Sequence, residues 1–252
     1  MNRIELFSCP VDVATMDETV ECIGTRVEQR QFTQHVVVNV AKLVHMQSDP
    51  ELAASIRACD IVNIDGMGVV WGARLLGFDV PERVAGVDLF ERLLQMAAER
   101  DLPVFLLGAT DAVVSRAAQV VSARYPSLQV AGHHHGYFWD DEEHVVELIR
   151  RSGARLLFVA ITSPKKENFI NRWKDRLGVD FVMGVGGTFD VVAGKVRRAP
   201  EWMQRGGLEW AYRVAQEPRR MWKRYFITNN KFALMLIKSR ISSAISGGQR
   251  SQ

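Results

Sequence analysis

Arg155-Leu156-Leu157-Phe158-Val159-Ala160, a helical pattern over residues 165–177, and then Asp180-Phe181-Val182-Met183-Gly184-Val185 form the stretch on which the fold turns. Both apolar runs are almost uninterrupted, as strands buried on both faces of a parallel sheet require. Similar runs stand at His35-Val36-Val37-Val38-Asn39, Asp60-Ile61-Val62-Asn63-Ile64, Pro103-Val104-Phe105-Leu106-Leu107 and Leu128-Gln129-Val130-Ala131. Amphipathic helical segments lie between them, around 41–57, 67–76, 87–99, 111–124 and 141–152, with Thr110 as an N-cap. The alternation predicts a Rossmann-like α/β fold: an open, mostly parallel sheet with helices on both faces and the strand C-termini along one edge. Ligands bind at such an edge.

Beyond Pro200 the pattern changes to two helical stretches, roughly 201–216 and 219–245, interrupted by Pro218. Residues 1–196 are therefore expected to form the α/β body and 197–252 a helical appendage, with Ser246–Gln252 a loose tail. Charge divides the same way. From Arg197 onward twelve Lys/Arg face three Glu, an excess of +9 that leaves the first 196 residues at −6. Trp222, Tyr225, Phe226, Phe232, Leu236 and Ile237 are interleaved there with Arg219, Arg220, Lys223, Arg224, Lys231, Lys238 and Arg240. A basic amphipathic helix of this kind suits an anionic membrane surface. A packed C-terminal helix with solvated Lys/Arg on its outer face fits the composition equally well.

With 252 residues, 47% of them hydrophobic, the chain can build a sizeable core. The N-terminus lacks the apolar core of a secretory signal, and no apolar run is long enough to span a bilayer, which points to the cytoplasm. The three cysteines, Cys9, Cys22 and Cys59, are widely spaced and without a CxxC pair, against both a disulfide framework and a cysteine-rich metal site.

Asp65 directly follows the Asp60–Ile64 run and precedes Gly66-Met67-Gly68, which sets a carboxylate at the ligand-bearing edge. There it could take a proton from an acceptor hydroxyl. Capping of the following helix is the competing structural role. Gly184-Val185-Gly186-Gly187-Thr188-Phe189-Asp190 follows the last strand, as a turn that presents N–H groups to a diphosphate or as a plain structural turn. Ser163-Pro164-Lys165-Lys166-Glu167 brings two ammonium groups and a carboxylate to the same edge, or simply starts a solvated helix. His133-His134-His135 cannot close on one ion from a strand, because consecutive side chains alternate faces. No D-x-D pair is present, and Asp141-Glu142-Glu143 reads as an acidic helix start. No metal is expected, so leaving-group charge would fall to Arg, Lys or backbone dipoles.

Taken together, the motifs resemble the WecG/TagA/CpsF family of bacterial glycosyltransferases. The matching stretches are Asn63–Gly68, Glu82-Arg83-Val84-Ala85-Gly86-Val87-Asp88, Leu106-Leu107-Gly108-Ala109, His134-His135-Gly136-Tyr137-Phe138, Ser163–Glu167, Gly184–Asp190 with Ala193-Gly194-Lys195, and Arg197-Arg198-Ala199-Pro200 leading into Gly207-Leu208-Glu209-Trp210. They run in family order across nearly the whole chain.

The resemblance implies inverting transfer from a UDP-linked sugar to an undecaprenyl-diphosphate-linked acceptor, without a cofactor or nucleic-acid partner. Asp65 matches the family's proposed base. Arg83 would bind phosphate or position the acceptor, and the Gly184–Asp190 turn, through Gly184, Gly186, Gly187 and Asp190, would hold the nucleotide with Gly66 and Gly108. The appendage would dock on the inner face of the plasma membrane and complete the site through Arg213, Arg220 and Arg224. Self-association is left open. Two departures bear on the donor. A Thr-Pro-Asn-like turn of the teichoic-acid branch is here Val38-Asn39-Val40, leaving Asn39 as the polar candidate, and Lys166 stands where that branch often has glutamine. N-acetylmannosaminyl, glucosyl and uronic-acid transfer all fit.

Two other functions compete. A nucleic-acid-binding protein would use the basic C-terminus, but its aromatics follow helical rather than sheet-platform spacing. An NAD-linked oxidoreductase needs a GxGxxG turn and an acidic residue ending the second strand, and neither is clear.

Overall fold

The computed structural model describes residues 1–248, with side chains as far as Ile241 apart from that of Arg220. The chain opens with a hairpin, β1 (Asn2–Leu6) and β2 (Cys9–Val13), followed by α1 (Met16–Glu28), β3 (Thr33–Val38), α2 (Val40–Met46), α3 (Pro50–Arg57) and β4 (Ile61–Ile64). Then come α4 (Met67–Leu75), α5 (Gly86–Glu99), β5 (Val104–Gly108), α6 (Asp111–Arg124), β6 (Val130–His134), α7 (Glu142–Arg151) and β7 (Leu156–Ala160). The series ends with α8 (Lys165–Trp173), β8 (Phe181–Gly184), α9 (Thr188–Val192), α10 (Glu201–Arg205), α11 (Glu209–Gln216) and α12 (Pro218–Gly248).

Six strands form one sheet in the order β4-β3-β8-β7-β5-β6, and every pairing is parallel. The α/β architecture read from the apolar runs is therefore the observed one. Side chains alternate across each strand. Val104 and Leu106 of β5 face a core shared with α1, α5 and α6, whereas Phe105 and Leu107 face α7 and α8. Phe90 of α5 meets Phe158 of β7 edge-on, with ring centroids 4.8 Å apart, fixing α5 against the sheet centre.

Several boundaries differ from the sequence reading. The helix expected over 41–57 is two, because Asp49 caps a new start at Pro50. Thr110 occupies the N-cap of α6 without a side-chain bond to the helix. In the appendage the expected interruption at Pro218 separates α11 from α12, and a further break at Gly206-Gly207 separates α10 from α11. The helix continues to Gly248, so the first part of the expected loose tail is helical, and residues 249–252 lie outside the described ones.

The N-terminal hairpin was not legible as strands. Its turn places Phe7 and Ser8 at φ 53° and 59°, a conformation usually signalled by Asn-Gly. Buried Asp12 accepts two bonds from Arg3, at 2.8 and 2.7 Å, and one from the Val62 N–H at 2.8 Å. This ties the hairpin to the outer side of β4 and shields that sheet edge.

α12 packs onto the body through Phe232, which joins the core containing Leu43, Val69 and Ile64. Its other side exposes Trp222, Phe226, Ile227, Leu234, Ile237 and Ile241. Among the described residues no helix is long and apolar enough to cross a membrane.

Candidate active site

Asp65 stands at the C-terminal end of β4, and its Oδ1 accepts the N–H of Gly86 at 3.3 Å. Gly86 is the first residue of α5, so the carboxylate sits at the positive end of that helix. It does not cap α4, whose N-cap is Gly66 without a side-chain bond. Burial pushes the Asp65 carboxyl above its ordinary range; the Arg213 and Arg83 guanidiniums and the Gly86 N–H pull it back, and Glu209 pushes it up. Burial prevails. A carboxyl raised in this way moves toward the range useful to a general base.

Two of the groups acting on Asp65 come from the appendage. Glu209 and Arg213 lie one turn apart on α11. Glu209 forms an ion pair with Arg83, and its Oε1 lies 3.5 Å from Arg198, which is forked onto Asp88 with one arm at 2.7 Å. The backbone at Gly207 rests on Met67 and Trp71 of α4. The appendage thus covers the strand edge at Asp65. Arg224 has its guanidinium 5.2 Å from the Tyr225 ring centre, and that ring lies 5.9 Å from the Trp210 ring of α11. The Arg220 side chain lies outside the described residues.

At the neighbouring end of β3, Asn39 accepts the Lys42 N–H at 3.1 Å as the N-cap of α2. Gly66 faces it: a Cβ at Gly66 would stand 3.6 Å from that of Asn39. The two ammonium groups expected at the same edge after β7 take different courses. Lys165 lies over the Trp139 ring, 4.8 Å from its centre. Lys166 turns inward, only 6% exposed. Its Nζ is 3.0 Å from Glu167 Oε1, which also lies 3.0 Å from Lys42 Nζ; Lys42 Nζ in turn donates to the Val37 carbonyl at 2.7 Å.

This Lys–Glu–Lys cluster links β3, α2 and α8 beneath the site. Burial and the Lys42 charge push the Lys166 ammonium down, against the opposite pull of Glu167 and Asp65. Burial alone would push the Glu167 carboxyl up, but Lys42 and Lys166 outweigh it and hold the group down at about 2. The Lys166 stem reaches the cluster across β8, where a Cβ on Gly184 would stand 2.8 Å from its Cδ. Glycine leaves that lane open.

The remaining glycines divide by environment. Gly186, at φ 55°, and Gly187 have nothing within 4 Å of where a Cβ would be, so this backbone is open to an approaching ligand. Asp190 beyond them lies 3.3 Å from Lys195. Gly108, at φ 126°, is instead pressed against Ala160 and Gly136 and packs the ends of β5 and β7 together. His133 Nε2 turns to Ser115 Oγ at 3.2 Å, whereas the His134 and His135 rings lie 4.3 Å apart, because β6 ends at His134 and strand alternation does not reach His135. Among the described residues no group of three His, Cys, Asp or Glu is placed to hold a metal ion.

Lys42, Asp88, Arg198 and Glu209 were not singled out from sequence as site residues. Lys42 left one trace, as a charge within Val40-Ala41-Lys42-Leu43-Val44, where the neighbouring positions are apolar. The other three lie within the motifs quoted above, but nothing in their spacing indicates that they meet.

The description "Glycosyl transferase WecG/TagA/CpsF family" belongs to the family model that matches residues 4–245. The chain is 38% identical over 174 residues to the N-acetylglucosaminyldiphosphoundecaprenol N-acetyl-beta-D-mannosaminyltransferase of Bacillus subtilis (strain 168), covering 69% of this chain and 67% of that one. With the protein of the same name from Bacillus spizizenii (strain ATCC 23059 / NRRL B-14472 / W23) it shares 32% identity over 220 residues, 87% of this chain and 84% of the other. Motif order, parallel sheet and family match agree, and the chain belongs to the WecG/TagA/CpsF family of glycosyltransferases.

Proposed function

We propose that this glycosyltransferase moves a hexose from a UDP-linked donor to a polyprenyl-diphosphate-linked acceptor sugar, inverting the anomeric centre, with Asp65 as general base. The observation that carries the reading is the meeting of Asp65, Arg83, Glu209 and Arg213 at the strand edge. In the reaction the Asp65 carboxylate takes the proton of the acceptor hydroxyl as its oxygen attacks the anomeric carbon. The bond from that carbon to the donor phosphate breaks, and UDP leaves with the electron pair. Arg83 and Arg213 can offset the charge on a diphosphate, and the open backbone at Gly186 and Gly187 can approach the nucleotide. The names of the two relatives make UDP-N-acetylmannosamine the first donor to try and an undecaprenyl-diphosphate-linked N-acetylglucosamine the first acceptor.

The exposed apolar side of α12, together with exposed Trp202 and Trp210 and with Lys223, Lys231 and Lys238, supports docking on an anionic membrane surface, where such an acceptor resides. That surface would be the cytoplasmic face of the plasma membrane. Calorimetric titration with UDP tests the donor side; saturable binding is expected. Asp65→Asn should retain UDP binding but lose transfer by roughly 100-fold or more. Unchanged transfer would remove Asp65 from the mechanism, and absence of UDP binding would remove the donor assignment.

A further inference from the structure

The segment between Val196 and Pro218 has little apolar anchorage of its own, since neither α10 nor α11 contains a buried side chain. α12 is fixed separately, through Phe232 in the core. A chain of alternating charges, Asp88, Arg198, Glu209 and Arg83, holds α11 over the strand edge. Glu209 is its pivot: one carboxylate claimed by two guanidiniums. Arg213, the next turn of α11, acts on Asp65, so a third arginine stands beside the two that share Glu209.

Guanidiniums in such groups match phosphate oxygens, which they bind through paired, charge-assisted hydrogen bonds. Arg83 and Arg198 are 15% and 25% exposed, shielded enough to need an anion and open enough to exchange one. A diphosphate brings more charge and more acceptor oxygens than one carboxylate. We propose that Glu209 is a built-in competitor that occupies Arg83, and the Nε edge of Arg198 that Asp88 leaves open, in the free chain and yields them to a diphosphate, making Arg198 a second arginine of the diphosphate subsite. The inference rests on the transfer reaction proposed above, in which both donor and acceptor carry a diphosphate. It adds that α11 is held by its own acid until substrate replaces it.

The test compares the intact protein with Glu209→Gln and Arg198→Gln, titrated separately with UDP and with farnesyl diphosphate as a short soluble prenyl diphosphate. Glu209→Gln keeps the side-chain shape and removes the competing charge. It should tighten one of the two diphosphates about 3- to 10-fold, and the ligand affected identifies whether the subsite serves donor or acceptor. Arg198→Gln should weaken the same ligand. A thermal melt of each variant separates these effects from loss of fold, and Glu209→Asp, which keeps the charge, should not tighten binding should the first variant melt early. If the wild type binds UDP and transfers sugar while Glu209→Gln binds both diphosphates equally or more weakly, the competitor role is overturned and the transferase reading stands. If the wild type binds neither diphosphate, both fall.

Discussion

Glu167→Gln is the substitution whose effect follows most directly from the structure. Glu167 lies 2% exposed between Lys42 and Lys166, and the two ammonium groups lower its carboxyl from 4.5 to about 2. That difference corresponds to about 3 kcal/mol of stability at neutral pH. Removing one partner of a buried ion pair costs about 3–5 kcal/mol by an independent route. The two figures agree. For a domain of this size such a loss lowers the melting temperature by about 10 °C. The sign in pH follows from the direction of the shift. A carboxyl depressed in the folded state contributes stability that is complete above its unfolded value near 4.5 and is lost as pH falls toward 2.

His35 contributes in a neighbouring window. Burial lowers its imidazole from 6.5 to about 4, so its contribution is present above pH 6.5 and is lost as pH falls toward 4. Denaturant unfolding of both proteins between pH 2 and 8 should therefore show the loss from His35 in each, and a larger further loss below 4.5 in the wild type than in the variant, since other lowered carboxyls such as Glu147 remain in both. A variant that melts within about 2 °C of wild type at pH 7, or that loses as much stability as the wild type below pH 4.5, would refute the buried-cluster account.

Arg213→Gln removes the strongest electrostatic pull lowering the Asp65 carboxyl. The carboxyl should rise further, and the acid limb of the kcat/KM profile should move to higher pH, since the base acts only when ionised; an unmoved limb would mean that α11 does not reach Asp65 in solution. Gly184→Ala should cost about 1–3 kcal/mol by crowding the Lys166 stem, and an unchanged denaturant midpoint would show that the stem does not cross β8 there.

The sheet was legible because a strand buried on both faces must be apolar at every position, a local signature that Leu156–Ala160 and Phe181–Gly184 display in full. The first helix was written just as plainly. Thr15 and Glu18 form a reciprocal capping box. The hairpin at Phe7-Ser8 carried no such signal, and its register depends on Asp12 reaching Val62, a partner fifty residues away.

The same distinction runs through the site. Asp65 could be placed from sequence because the end of a strand followed by glycines has a fixed address in a parallel sheet. Whether it would cap α4 or serve another element could not, since that choice was made by the first N–H of α5. Lys166 showed only a charge beside a turn. Its inward course needed Gly184 on β8 and Lys42 on α2, brought together by the fold. Composition alone gave the appendage its basic charge and aromatic residues. Tertiary structure decided that Glu209 would meet Arg83 across 126 residues of chain, because local periodicity fixes which face an element buries but contains no information about which distant charge arrives there.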